Sequence, residues 1–356
     1  MSFVFRFLRT IFIATLIFII LIFCIQYFQS QDDRFRQIDD QVKASRDIKN
    51  AYIRIDHPKK IHEFKKNLTA HDRFYVASIS KLFTYSVVFQ LIDEGKLSMD
   101  TRMVDVLDKD KVDHLLTIDG KDKTSTITVD QLLNQTTALP DYESDHLDNQ
   151  PSIGSILQKQ DLDFPPNEAI NLTKQLSGKH LNHEAYYSGM NATLLGLMIE
   201  KITHQSLEEN FKSRIFQPLG LKDTAVPDKS LKISDTYYKD RKVNNLLYAQ
   251  SNIAPAGLVS SGHDLMIFIK SYFDGQLFKK SHISHPDFVP LQGSKSMYAH
   301  GLMRVDAYGV ILDGHAGSTG SFAFYAPKKK AYIVGTINQN DVNQYKIISA
   351  YINSLD

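Results

Sequence analysis

Phe74-Tyr75-Val76-Ala77-Ser78-Ile79-Ser80-Lys81-Leu82-Phe83-Thr84 runs from an apolar approach into a helical pattern. It sets a hydroxyl and an ammonium three residues apart at the start of a helix, and positions i and i+3 share a helix face. Lys81 therefore reaches the Ser78 oxygen, where the positive end of the helix dipole favours developing negative charge. A serine is a weak nucleophile until a neighbouring base takes its proton, and Ser-Lys pairing is one way to do so. Beyond it Leu82, Phe83, Val87, Val88, Leu91 and Ile92 recur at helical spacing. That predicts a helix over 78–94, stopped at Gly95. Alone, such a pair also describes a solvated helix start; the rest of the chain gives it meaning.

The chain has 356 residues, 43% hydrophobic and 23% charged, with a formal net charge of +1. The length suits one large domain or two closely joined lobes. A near-neutral balance excludes broad attraction to nucleic acid, and Lys328-Lys329-Lys330 reads as a solvated turn between strands. The single cysteine, Cys24, excludes an intrachain disulfide framework and a multi-cysteine metal site. A domain this long builds its core without disulfides, so their absence is compatible with a location outside the cell.

Residues 1–9 carry Arg6 and Arg9, and residues 10–28 are almost wholly apolar and uncharged, with Asp32 and Asp33 beyond. At about 1.5 Å per residue the apolar run crosses a hydrocarbon core of roughly 30 Å. The charge bias keeps the N-terminus inside. Ile25-Gln26-Tyr27-Phe28-Gln29 lacks the small residues of a cleavage site, which favours an uncleaved anchor over a signal peptide. The expectation is a single-pass membrane protein with a 1–9 cytoplasmic tail, a 10–28 anchor, a 29–50 stalk or surface helix and an extracellular domain over 51–356.

Within that domain Ala51–Ile55 alternates as a first strand. Residues 127–133 open a short helix, 194–203 form an apolar helix, and about 100–250 is helical and loop-like. The last third predicts strands over 298–305, 310–316, 321–325 and 331–338, then a closing helix over 342–355. Strands near both ends with helices between them predict an α/β (α+β) domain, one sheet built from both termini around an inserted helical lobe.

Two further segments convert the serine-lysine pair into a site: Tyr187-Ser188-Gly189 before the 194–203 helix, and Asp313-Gly314-His315-Ala316-Gly317-Ser318-Thr319-Gly320-Ser321 before a strand. With these the chain resembles the serine β-lactamase and penicillin-binding protein superfamily, in its class C β-lactamase-like branch of DD-peptidases and esterases. The likeness covers about 50–350 and includes, in family order, Leu91–Leu97, Leu132–Pro140, Pro218–Thr224 and Ala256–Leu265. It implies a β-lactamase/transpeptidase-like fold, with an antiparallel sheet flanked by helices and the active site between sheet and helical lobe. It also implies that Ser78 is the acylated nucleophile, Lys81 its base or proton partner, and Tyr187 the proton shuttle, with a lowered pKa if it acts as a base between two cations. Backbone N–H groups of Ser78 and Ser318 would form the oxyanion hole, and His315 would complete the catalytic set. Gly189, Ala316 and Gly317 would border the substrate, with Gly317 keeping an edge strand clear. Thr137-Ala138 stands where the family often has Ser-Gly and reads as structural.

Two departures bear on substrate. Gly189 stands where the family usually has asparagine, whose amide helps to hold a peptide group; losing that bond costs about 1–3 kcal/mol for a substrate needing it. Asn191 lies too far along the helix to replace it. His315 stands where many relatives carry lysine, and an unperturbed histidine is mostly neutral at pH 7. Both changes suit a D-alanyl ester on teichoic acid, whose acyl group bears an ammonium, better than a peptidoglycan stem with its amide and carboxylate. The expected partner is thus a cell-envelope polymer, teichoic acid or peptidoglycan. A DD-carboxypeptidase and a weakly active wall-polymer binder are the other readings. His180…His183 and His282…His285 match no metalloprotease helix and read as loop histidines. No phosphate loop or dinucleotide fingerprint appears, so no cofactor and no metal is predicted.

Overall fold

Apolar and alternating runs near both ends of the chain become strands. The computed structural model describes residues 31–177 and 185–355, with positions 13, 16–18, 20 and 29. Its main sheet holds β1 (Ala51–His57), β2 (Lys60–Lys66), β3 (Val289–Pro290), β4 (Met297–Ala299), β5 (Leu302–Ala307), β6 (Val310–Ala316), β7 (Ser321–Ala326) and β8 (Ala331–Thr336). The order is β2-β1-β8-β7-β6-β5-β4-β3 and every pairing is antiparallel. The first strands thus close against the last, so one sheet is built from both ends of the domain as the pattern predicted. Pro290 lies on an edge strand, where its missing N–H breaks no interior ladder.

Helices position the rest, among them α1 (31–44), α2 (Ser80–Asp93), α3 (Val129–Asn134), α4 (Gly189–Thr203), α5 (Ile253–Ala256), α6 (Gly262–Asp274) and α7 (Gln344–Asn353). One face of the sheet packs on α6 and the helical lobe, the other on α1 and α7. β7 is buried on both faces and runs almost wholly apolar, whereas β1 keeps its alternation, with Arg54 and Asp56 paired on one face. Helix α2 is buried almost all round, with the Phe83 and Phe268 rings stacked at 3.7 Å. A helix apolar on every side needs partners on every side, and here they are α4, α5 and α6.

Three expectations change. The predicted strand over 298–305 is two strands, because His300 (φ 44°) and Gly301 (φ 79°) turn the chain between β4 and β5. A Cβ at Gly301 would stand 2.4 Å from the Tyr85 ring, so this turn needs glycine for space as well as for φ. The segment 29–50, expected as a stalk or surface helix, contributes α1 to the domain itself. Phe35, Val42 and Ile48 are buried against the sheet, and Gln31 Nε2 donates to Leu355 O at 2.8 Å. His282, expected in a solvent-exposed loop, stacks on Phe89 and meets Asp93 Oδ1 at 2.9 Å. Among the described residues no helix is long and apolar enough to cross a membrane, and no cluster suited to a metal occurs. The apolar run over 10–28 lies largely outside the described residues, as does the His180–His183 pair.

Candidate active site

Ser78 lies on one turn of 3-10 helix, Ala77–Ile79, that leads into α2. The sequence pattern placed it inside an α-helix; the tighter turn arises because Ala77 adopts φ 46°. Left-handed backbone at a non-glycine residue costs of order 1–3 kcal/mol and persists where its surroundings dictate it. Lys81 Nζ stands 3.1 Å from Ser78 Oγ and donates to Pro255 O at 3.0 Å. The lysine is 1% exposed and has no carboxylate in direct contact among the described residues. Burial holds its pKa below the usual lysine range, against the pull of Glu143, Tyr85 and Asp141. A neutral amine keeps one N–H on Pro255 and offers its lone pair to the Ser78 proton.

Tyr187 closes the other side. Lys81 Nζ lies 5.0 Å from its ring centroid. Its hydroxyl oxygen is buried without a well-formed hydrogen bond, although Ser78 is near enough to offset part of the effect of burial. Burial dominates and raises the phenol well above its ordinary pKa. The phenol is therefore held in its protonated form, which does not suit the phenolate base that two flanking cations would create. The second cation is missing. His315 is fully buried, its Nδ1–H donates to Ala316 O at 2.8 Å, and Nε2 accepts from Tyr298 Oη at 3.3 Å. Burial and then Lys81 push its pKa down to about 3, so the ring is neutral.

The turn after β6 reaches the nucleophile by two side-chain bonds. Thr319 Oγ1 donates to Tyr75 O at 2.7 Å and Ser321 Oγ to Val76 O at 2.9 Å. These bring Ser318, which is exposed, to the loop that carries Ser78. Gly317 does a different task from the one expected. A Cβ there would meet Ser321 Oγ at 2.2 Å and Val76 O at 2.3 Å, so the glycine permits close packing within the protein. β6 is an interior strand, yet its pairing with β5 stops at Met303–Gly314, leaving His315 and Ala316 paired on the β7 side alone.

Gly189 opens α4, with Ser188 as N-cap. A Cβ on it would lie 3.0 Å from Tyr142 Oη, so Tyr142 fills the space beside the missing side chain. Asn191 is turned away: it accepts from Thr137 Oγ1 at 2.7 Å and donates to Gln135 Oε1, which gives Thr137 the structural part expected of it. Sequence reasoning overlooked Asp141-Tyr142-Glu143. Asp141 accepts from Gly189 N at 2.9 Å, and Tyr248 Oη donates to Glu143 Oε1. Burial raises both carboxyl groups, with Asp145 adding to the rise at Asp141 and Asp141 to that at Glu143, and Lys81 opposing both. A cleft of about 200 Å³ opens here, lined by Ala77, Glu143, Tyr248, Ala256, Ser318 and Thr319 among others. The available signal was an acidic run placed directly after Leu139-Pro140 in a stretch already matched to the family.

Residues 35–353 match the Beta-lactamase family model. The chain is 28% identical over 266 residues to the D-aminopeptidase of Brucella anthropi, covering 71% of this chain and 46% of that one. It is 25% identical over 299 residues to protein flp of Staphylococcus aureus (strain COL), covering 78% and 55%. The chain spans about half or less of the length of such curated relatives. Among solved structures, D-amino acid amidase from Ochrobactrum anthropi SV3 with D-phenylalanine superposes with a TM-score of 0.74 at 19% identity, covering 91% and 98%. EstCE1, a hydrolase with promiscuous acyltransferase activity, gives 0.74 at 17% identity, covering 92% and 98%. These likenesses show the β-lactamase/transpeptidase fold. With the family model matched over most of its length, the chain belongs to the Beta-lactamase family.

Proposed function

We propose that this protein is a membrane-anchored, extracellular D-alanyl esterase acting on teichoic acid. The observation that carries the reading is a carboxyl group where a cation would be needed for a substrate carboxylate. Glu143 lines the cleft, Asp141 lies behind, and the third-motif cation of many relatives is replaced by a neutral, buried His315. Burial raises the Glu143 carboxyl, and an incoming ammonium draws it back towards its charged form, so the cleft favours an acyl group bearing an ammonium and offers little to a substrate carboxylate. The likeness to a D-aminopeptidase and a D-amino acid amidase supports a D-aminoacyl substrate.

In this reading Ser78 Oγ attacks the ester carbonyl while its proton passes to Lys81. The Ser78 and Ser318 N–H groups receive the oxyanion. Tyr187 delivers a proton to the departing polymer alkoxide and recovers it from Lys81. Water then repeats the attack on the acyl-serine and releases D-alanine. The test offers purified protein D-alanylated teichoic acid and D-Ala-D-Ala-terminated stems side by side. Release of D-alanine from the ester with an acyl adduct on Ser78 is expected; trimming of stems alone, with ready labelling by penicillin, reverses the assignment to a DD-carboxypeptidase. Glu143→Gln should lower kcat/KM for a free D-alanyl ester about ten- to hundredfold, the size of a charge-assisted hydrogen bond, and leave the N-acetylated ester nearly unchanged.

A further inference from the structure

The two ends of the sheet differ in charge. At one end the β6–β7 turn (317–320) carries Ser318. At the other lie the β1–β2 turn (58–59) and the β7–β8 turn (327–330), as the pairs His57–Lys60, Asp56–Tyr332 and Ala326–Ala331 require. The second end presents Lys59, Lys328 and Lys330, all exposed, with Lys329 half-exposed between them. Lys59 and Lys329 both act on His57, lowering its pKa after burial has done so, which places the two turns side by side. Of the carboxylates there, Asp32 is paired with Lys60 and Asp33 with Arg36, while Asp306 is exposed beside the β5–β6 turn (308–309) at the same end, four strands from β1, and accepts from Gly309 N. Asp274 is exposed at the end of α6 beside Tyr332.

Helix α1 starts at this same end. Asp32 meets Lys60 and Phe35 stacks on His62 at 4.3 Å, whereas Val42 O and Ser45 O, further along, accept from Lys66 Nζ. Only two residues separate the apolar run over 10–28 from Gln31, which is tied to Leu355 O. The described chain therefore enters the domain at the lysine-bearing end, not beside Ser78. Of the run over 10–28, the described side chains Ile13, Leu16, Ile17, Phe18 and Ile20 are 45% to 63% exposed.

We infer that the lysine-bearing end of the sheet rests on an anionic lipid bilayer, with residues 10–28 inserted below it and the Ser78 cleft turned away from the membrane. Basic residues are drawn to an anionic lipid surface when they lie within a Debye length of it. A strand such as β6, seven residues long, spans about 20 Å at roughly 3.3 Å per residue. The hydrolase would then act on groups held about that far above the lipid. This rests on reading 10–28 as a membrane segment and is independent of which ester the site cleaves.

The test uses the full chain carrying Cys24→Ser, reconstituted in phosphatidylcholine vesicles with or without phosphatidylglycerol. A fluorophore is attached through Ile61→Cys at the basic end or through Lys229→Cys, an exposed position in the 228–246 segment that packs around Tyr75 near the Ser78 loop. A headgroup-borne quencher should reduce the Ile61→Cys signal severalfold more than the Lys229→Cys signal, and more so with phosphatidylglycerol. Combined Lys59→Glu, Lys328→Glu and Lys330→Glu should abolish that lipid-charge dependence while hydrolysis of a soluble ester is unchanged. Equal or reversed quenching, indifference to lipid charge and to charge reversal, or failure of the full chain to enter vesicles would each overturn the inference. None of these outcomes touches the esterase assignment, which is read from D-alanine release.

Discussion

In the proposed reaction, the reactivity of Ser78 turns on the protonation of one buried amine. Lys81 is held below its ordinary pKa chiefly by burial, so it becomes the neutral base at a lower pH than an exposed lysine. The sign follows: kcat/KM rises as pH rises through that lowered pKa and then levels, and His315, with a pKa of about 3, contributes no limb near neutrality. Lys81→Met should remove this acid limb and slow acylation by about 10²–10⁴-fold, the usual range for general base catalysis, as measured by burst kinetics across pH. The same burial has a cost in stability. Between the lowered folded-state pKa and the ordinary value, the unfolded chain binds more protons at Lys81, so its effect on stability improves as pH rises through that window.

At the scale of elements, the site depends on how closely the β6–β7 turn approaches the loop before α2. Three contacts define that approach: Thr319 to Tyr75 O, Ser321 to Val76 O, and the absent side chain of Gly317. Gly317→Ala would drive a methyl into Val76 O and Ser321 Oγ, and overpacking of this kind costs about 1–3 kcal/mol. Because relief can come only by moving the turn from Ser78, the acylation rate should fall while the substrate KM changes little. Stopped-flow acylation with a thermal melt on the same sample checks both. The β4–β5 hairpin shows the same dependence: His300 N and Gly301 N are held by Asn134 Oδ1 and Leu133 O of α3 at 2.6 and 2.9 Å. A run of β-forming residues over 298–305 says nothing of that anchorage, so its division into two strands was not legible.

For the whole molecule, the segment before β1 is part of the fold. Phe35 is 1% exposed and lies between His62 and Tyr351. Phe35→Ala should therefore destabilise the domain by about 3–5 kcal/mol, measured by urea unfolding, whereas truncating a side chain in a true linker changes nothing. The polar, mixed-charge composition of 29–50 concealed this, since a helix that buries one narrow stripe needs few apolar residues. Ser78, Lys81, Tyr187 and the sheet built from both termini were legible because each follows from local spacing and order along the chain: a helical i,i+3 pair, alternating strands, motifs in sequence. The neutral His315, the phenol kept protonated at Tyr187, the packing duty of Gly317, and Glu143 on the cleft with Asp141 behind it belong to the folded structure alone. Charge state and close approach depend on which distant side chains exclude water and share space with a group, and only folding brings Pro255, Tyr142, Tyr248 and Val76 to within reach of the residues they act upon.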